Sequence, residues 1–352
     1  MKQRVLSGIR ATGRLHLGNY LGAIKGMIEL QNNTSYQTFY MVADGHAVTT
    51  PFLPADLGDN RREVIIEYLA AGLDPEKSVL FMQSMVPAHF ELMFYLSAVT
   101  TVSRMQHLPT FKDKAAQYPE NVTMALLGYP VLMAADILAY KASMVPVGTD
   151  QEPHLEVARD IARRMNADYA LDFPEPQRFA TSGEYVPSLL GQGKMSKTVE
   201  GSSIYLTDDL ATIEKRLAGT PTDSGKGTIT TREPVQTTQA ATSKQSQRVY
   251  TDQAGKESPG VANLLQFVEL IEGVGAREEY DQAYASTGIR YRDLKAQLAQ
   301  AIATQLKPFQ EKRAELIANA ALVDTVIAEG AARASVVADA TLQEVKKAIG
   351  LS

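Results

Sequence analysis

The chain has 352 residues, 45% hydrophobic and 21% charged, a globular balance with room for a large α/β domain and a smaller companion. It has no cysteine, which excludes disulfides, Cys-based zinc or iron–sulfur centres and a thiol nucleophile. The net charge of −5 argues against a general coat of positive charge for nucleic acid and leaves room only for local, shape-based RNA contact.

No apolar run approaches the roughly 20 residues of a membrane helix. The segment Met1–Gly8 lacks the apolar core of about 7–15 residues that marks a signal peptide. The five histidines show no metal-ligand spacing. A cytoplasmic protein with no metal site of its own is expected.

In chain order, Arg4–Ser7 reads as a short apolar strand ending at Gly8, and Thr38–Ala43 as a second, ending at Asp44, Gly45 and His46. Ser78–Met82 is a third, ending at Gln83 and Ser84, and Met144–Val147 a fourth, ending at Gly148, Thr149 and Asp150. Amphipathic patterns such as Leu17, Leu21, Ile24 and Ile28 lie between them. Apolar strands alternating with such helices predict a parallel sheet covered on both faces. Gly, Ser, Asp, His and Gln collect just past the strand ends, the rim where open parallel sheets bind ligands. Each such cluster is also ordinary turn chemistry; the four together point to a site.

After Ser203 the character changes. Thr207, Asp208 and Asp209 begin a helix that runs through Leu217. Residues 219–260, rich in Thr, Gln, Ser, Gly and Lys, lack periodicity and read as a flexible linker or long loop. From Val261 onward helical patterns run almost without interruption, as in Leu264, Leu265, Val268 and Ile271. Pro308 is expected to break one of these helices and Gly330 to punctuate the last region.

Two segments carry chemistry. In Ser7–Asn19 a strand exits into a glycine-bearing loop feeding a helix near His16, and helix N-termini attract phosphate. Gly18 leaves room for a flat base or ribose, and His16 can donate to phosphate oxygens. The spacing matches neither the dinucleotide fingerprint nor the P-loop. In Gly193–Thr198 two lysines three apart sit in a glycine-flanked loop, mobile charge that can close over a triphosphate and stabilise developing charge. A third feature lies on one helix face, where Tyr129, Met133, Asp136 and Tyr140 follow helical spacing. That face is aromatic and thioether-rich and carries one carboxylate, an acceptor among apolar neighbours. The alternative for Asp136 is a structural ion pair.

His16-Leu17-Gly18-Asn19 resembles the HIGH element of class I aminoacyl-tRNA synthetases, and Lys194–Thr198 resembles their KMSKS element. Gly128–Leu138, Val145–Gln151 with His154, Leu155, Arg159 and Asp160, Pro259–Leu265 and Glu329–Ala331 resemble the tryptophan branch of that class. The resemblance runs from Val5 to about Leu351, interrupted at residues 219–260. It implies an α/β fold: a Rossmann-type catalytic domain over residues 1–203 with a helical insertion at about 85–140, then an all-α anticodon-binding domain over 204–352.

The activity it implies is activation of L-tryptophan with ATP and transfer to tRNA(Trp), with Mg²⁺ bridging phosphates and no protein metal site. A homodimer is also implied. Tyrosine–tRNA ligation and a non-catalytic tRNA-binding paralogue are the alternatives. By the same resemblance Lys194, Lys197, His16 and Lys114 carry catalysis, and Lys112 joins Lys114 near the phosphates. ATP would meet Arg10, Ala11, Thr12, His16, Gly18, Asn19, Gly148, Thr149, Asp150, Val186, Lys194, Met195, Ser196, Lys197 and Thr198. Asp136 would accept the indole N–H, Tyr129 and Gln151 would hold the amino group, and Leu6, His46, Met133, Val145 and Val147 would line the pocket. Arg10, Ala11 and Thr198 stand where the family commonly has Gln, Pro and Ser.

Overall fold

The computed structural model describes residues 2–179, 186–191, 193–197, 199–232 and 247–352. Five strands, β1 (Gln3–Arg10), β2 (Tyr36–Ala43), β3 (Ser78–Met82), β4 (Met144–Pro146) and β5 (Gln177–Phe179), form one parallel sheet in the order β3-β2-β1-β4-β5. The first four are those the apolar runs predict. β5 escapes sequence reading because its three residues hold one apolar side chain. Chain order reverses between β1 and β4, the switch point at which such sheets open a crevice beyond their carboxyl ends. Gly8 in β1 is held to glycine by close packing: a Cβ there would lie 2.7 Å from Met41 Cγ and 2.8 Å from its carbonyl oxygen.

The chain divides into two compact units. The first comprises residues 1–13, 26–181 and 315–352 and contains this sheet. Between β3 and β4 it carries the expected helical insertion: Ala88–Ser97, Val102–Gln106, Pro109–Gln117 and Met124–Ala139. Phe39 stacks on Tyr140 at 4.6 Å and Phe81 tilts against it at 5.6 Å, packing strand and helix faces into one buried core. Among the described residues, no helix is long and apolar enough to cross a membrane.

The last helix, Ala320–Ala348, also belongs to this unit and packs against β3. Gly330 does not punctuate it. It sits inside an unbroken helix because a Cβ at this position would fall within the van der Waals shell of the Leu80 carbonyl oxygen. The glycine therefore sets how closely helix and strand approach. Gly330→Ala is expected to destabilise the protein by about 3 kcal/mol, since backbone cannot yield as a side-chain tip can. Denaturant unfolding reads this out; a midpoint equal to wild type would mean the helix slides at little cost.

The second unit comprises residues 14–25 and 182–314. Pro308 lies within the helix Tyr291–Ala318 and does not break it. It removes one backbone donor, and the buried Leu306 and Phe309 on either side hold the helix in place. Part of the stretch read as a linker is ordered: β6 (Gly227–Arg232) and β7 (Gln247–Asp252) form an antiparallel pair, while residues 233–246 lie outside the described residues. Long-range anchors make up for the weak local pattern. Asp223 accepts hydrogen bonds from Tyr284 and Tyr291 hydroxyls at 2.6 and 2.7 Å, and buried Tyr250 of β7 meets Tyr284 edge-on at 5.4 Å.

Candidate active site

In the second unit the two lysine- and histidine-bearing motifs meet. His16 caps the helical turn Leu17–Asn19, accepting from Asn19 N–H at Nδ1 (3.2 Å) and donating its own N–H to Asn19 Oδ1 (3.1 Å). A π-turn over Tyr20–Ile24 follows, a geometry frequent at functional sites. Gly18 N–H donates to Met195 Sδ at 3.3 Å and Leu17 N–H to the Ile204 carbonyl at 2.8 Å. The amides expected to meet phosphate thus already have protein partners. The space beside Gly18 is filled by the His16 ring and Met195, so glycine here lets the two motifs approach rather than opening room for a base.

The other ring nitrogen of His16 takes no part in this cap. Burial lowers the imidazole pKa to about 4, assisted by the charges of Lys197 and Lys194. The ring is therefore neutral near pH 7, and because Nδ1 accepts, the proton is on Nε2. The Lys194–Lys197 loop is anchored through buried Met195, whose N–H donates to the Val186 carbonyl at 3.0 Å. Ser202 and Ser203 hydroxyls donate to the Ser196 carbonyl at 2.6 and 2.9 Å. Lys194 is exposed and Lys197 half-buried. Thr198 lies outside the described residues.

In the first unit Asp136 sits on the Met124–Ala139 helix, 1% exposed. Its Oδ1 accepts from His89 Nδ1 (2.6 Å) and Gln83 Nε2 (2.7 Å), and its Oδ2 from His46 Nε2 (2.8 Å). Burial pushes its pKa up, but the hydrogen bonds from His46 and His89 outweigh this and hold it at about 2. The carboxylate is therefore an acceptor with about four lone-pair sites, three of them engaged. The open one is on Oδ2. Gln83 Oε1 in turn accepts from His46 N–H at 3.3 Å, and His89 Nε2 pairs with the Tyr140 hydroxyl at 2.8 Å. Tyr140, on the same helix face in the sequence reading, is thus part of the core.

Sequence reasoning did not assign Gln83 and His89 to Asp136. Gln83 stands in the rim just past β3, which was a usable signal; His89 offered none, since only the fold turns it toward the carboxylate.

Leu6 and Val145 are buried in the core, and Met133 and Val147 pack partly buried against it. Tyr129 and Gln151 are joined through His154. Arg10 does not point its charge freely into the pocket. Its Nη2 donates to the His46 carbonyl (3.1 Å) and Thr50 Oγ1 (2.9 Å), and burial lowers its pKa. Ala11 is buried and Thr12 exposed. Lys114 donates to Gln117 Oε1 at 2.8 Å, with its pKa lowered by burial and by Arg10; Lys112 is exposed. Past β4, Gly148 is followed by a 3₁₀ turn over Thr149–Gln151, with Asp150 exposed. Val186, in the second unit, is fully buried.

The switch-point sheet and the paired His16 and Lys194–Lys197 motifs define the class as an adenylate-forming synthetase of class I. The family model for class I tRNA synthetases (W and Y) matches residues 1–307. A tryptophan–tRNA ligase of Porphyromonas gingivalis is 40% identical over 351 residues, covering 99% of each chain. That of Nostoc sp. is 39% identical over 359 residues, covering 100% of this chain and 98% of the relative. The crystal structure of the Campylobacter jejuni tryptophanyl-tRNA synthetase with ADP and tryptophan superposes with a TM-score of 0.80 at 30% identity, over 99% of this chain and 100% of that one. A tyrosyl-tRNA synthetase of Aeropyrum pernix shares the fold at 16% identity. The chain belongs to the tryptophan–tRNA ligases of the class I synthetase family.

Proposed function

We propose that this chain ligates L-tryptophan to tRNA(Trp), with Asp136 as the acceptor that selects the indole. The open lone pair on Asp136 Oδ2, next to the one His46 occupies, carries this reading. Tyr129 and Gln151 hold the ammonium, and Leu6, His46, Met133, Val145 and Val147 shape the slot. A site built to pair one N–H rejects a ring lacking it by roughly 10⁴–10⁵.

In the first step the tryptophan carboxylate attacks the α-phosphorus of ATP. The new P–O bond forms as the bond to the β-phosphate oxygen breaks, giving tryptophanyl-adenylate and pyrophosphate. Positioning and charge stabilisation supply the rate: His16 Nε2–H, Lys194 and Lys197 face the phosphates, supported by Lys114 and Arg10. By family resemblance, ribose contact is assigned to Gly148, Thr149 and Asp150, and adenosine contact to Val186, Met195 and Ser196. In the second step the terminal ribose hydroxyl of the tRNA attacks the adenylate carbonyl and AMP leaves.

Among the described residues no three His, Asp or Glu side chains converge as a metal cage. Mg²⁺ would enter with ATP and would neutralise phosphate charge there, beside the positive charges of Lys194 and Lys197. The functional division falls near Ser203, with catalysis in residues 1–203 and anticodon reading in 204–352. The setting is the cytoplasm, where tRNA and ATP are found. Exposed Phe90, Phe94, Val122 and Met124 in the first unit are the kind of apolar surface a second copy covers in a homodimer.

Pyrophosphate exchange measured with each amino acid tests the reading. Exchange is expected with tryptophan alone. Exchange driven by tyrosine would reassign the substrate, and none at all would favour a non-catalytic tRNA-binding role.

A further inference from the structure

His154 lies in the first turn of the Glu152–Tyr169 helix and is 2% exposed. Its Nδ1 is 3.0 Å from Gln151 Oε1, and its Nε2 is 2.7 Å from the Tyr129 hydroxyl and 2.8 Å from Thr110 Oγ1. Which atoms carry hydrogens follows from the partners. Gln151 Nε2 donates to the Asp150 carboxylate at 2.7 Å, so the amide presents its oxygen to His154. An amide oxygen only accepts, so His154 Nδ1 carries the proton. Burial lowers the pKa of the ring to about 4, against the charge of Asp150, so near pH 7 the ring holds that proton alone. Nε2 is then a bare acceptor. Tyr129 donates to Thr110 Oγ1 at 2.9 Å, leaving the Thr110 hydrogen for Nε2. Both hydroxyl hydrogens therefore turn inward, and the Tyr129 oxygen keeps lone-pair capacity facing away from the triangle. Gln151 Oε1 keeps its second lone pair likewise.

We propose that His154 is a positioning residue whose single tautomer aims the lone pairs of Tyr129 and Gln151 at the substrate ammonium. An ammonium has only donors, so a hydroxyl free to point its hydrogen outward would oppose it. This inference rests on the reading that Tyr129 and Gln151 bind the amino group.

Equilibrium binding of L-tryptophan and of indole-3-propionate, which keeps ring and carboxylate but lacks the ammonium, tests it on wild type, Tyr129→Phe and His154→Leu. Both variants are expected to lose about tenfold in tryptophan affinity, the scale of one hydrogen bond to a charged group, with indole-3-propionate unchanged. If Tyr129→Phe shows that selective loss and His154→Leu binds tryptophan like wild type, the inference about His154 is overturned while the ammonium reading stands. If Tyr129→Phe shows no selective loss, the ammonium reading itself falls. Equal loss of both ligands in His154→Leu assigns the residue to packing and overturns the proposal. Should the leucine variant not fold, His154→Phe, which keeps a flat ring edge-on to Tyr129, is scored by the same ratio.

Discussion

Asp136→Asn is expected to lower kcat/KM for tryptophan-dependent pyrophosphate exchange by roughly 10³-fold or more, with ATP affinity unchanged. The size follows from how the side chain is held. Two donors, His89 Nδ1 and Gln83 Nε2, converge on Oδ1, so the asparagine oxygen settles there. Its NH₂ then takes the place of Oδ2 and meets the indole N–H donor to donor. Asparagine is the better test than alanine, because truncation would strand three buried donors and destabilise the fold by about 3–5 kcal/mol. A tryptophan analogue with sulfur in place of the ring N–H separates recognition from structure. Wild type should prefer tryptophan strongly, and Asp136→Asn should lose most of that preference. If both substrates decline together and their ratio stays constant, the carboxylate belongs to the scaffold and the tryptophan site must be sought elsewhere.

Substitution of Lys197 by alanine should slow adenylate formation by about 10²-fold, the scale of removing one preorganised charge from a developing anion, while tryptophan affinity stays as in wild type. Lys194→Ala should behave alike. The loop backbone is fixed independently of both side chains, by Met195 and by the Ser202 and Ser203 hydroxyls on the Ser196 carbonyl, so removing one charge leaves its frame intact. A second readout does not depend on turnover. The two lysines assist burial in lowering the His16 pKa, so either substitution should raise it, which imidazole NMR can follow. Single-turnover kinetics decide the mechanism: equal losses in tryptophan binding and in the chemical step would show a ground-state contact rather than one made in the transition state.

The short motifs were legible because their chemistry depends on local spacing. His16 with Asn19 closes a capping box within four residues, and the lysine pair shares one loop. Four of the five sheet strands were legible for the same reason: their apolar runs end at turn residues. β5 and the β6–β7 hairpin were not, since Gln177–Phe179 and Gly227–Arg232 owe their order to partners far along the chain. Pro308 and Gly330 were misread in the same way. Each carries a strong local preference for ending a helix, and each is overridden by packing, at Leu306 and Phe309 in one case and at the Leu80 carbonyl in the other.

By itself the sequence determined the parallel sheet, whose apolar runs each end at turn residues, and the short motifs whose resemblance to class I synthetases implied the reaction; it offered Asp136 only as a candidate acceptor. Only the tertiary structure decided that Asp136 is held by His46, Gln83 and His89, that the first amides of the Leu17 helix are already bonded, and that His154 joins Tyr129 to Gln151. Hydrogen-bond partners are chosen by which side chains a fold brings within about 3 Å, and no local period records a meeting between residues 47 or 90 positions apart.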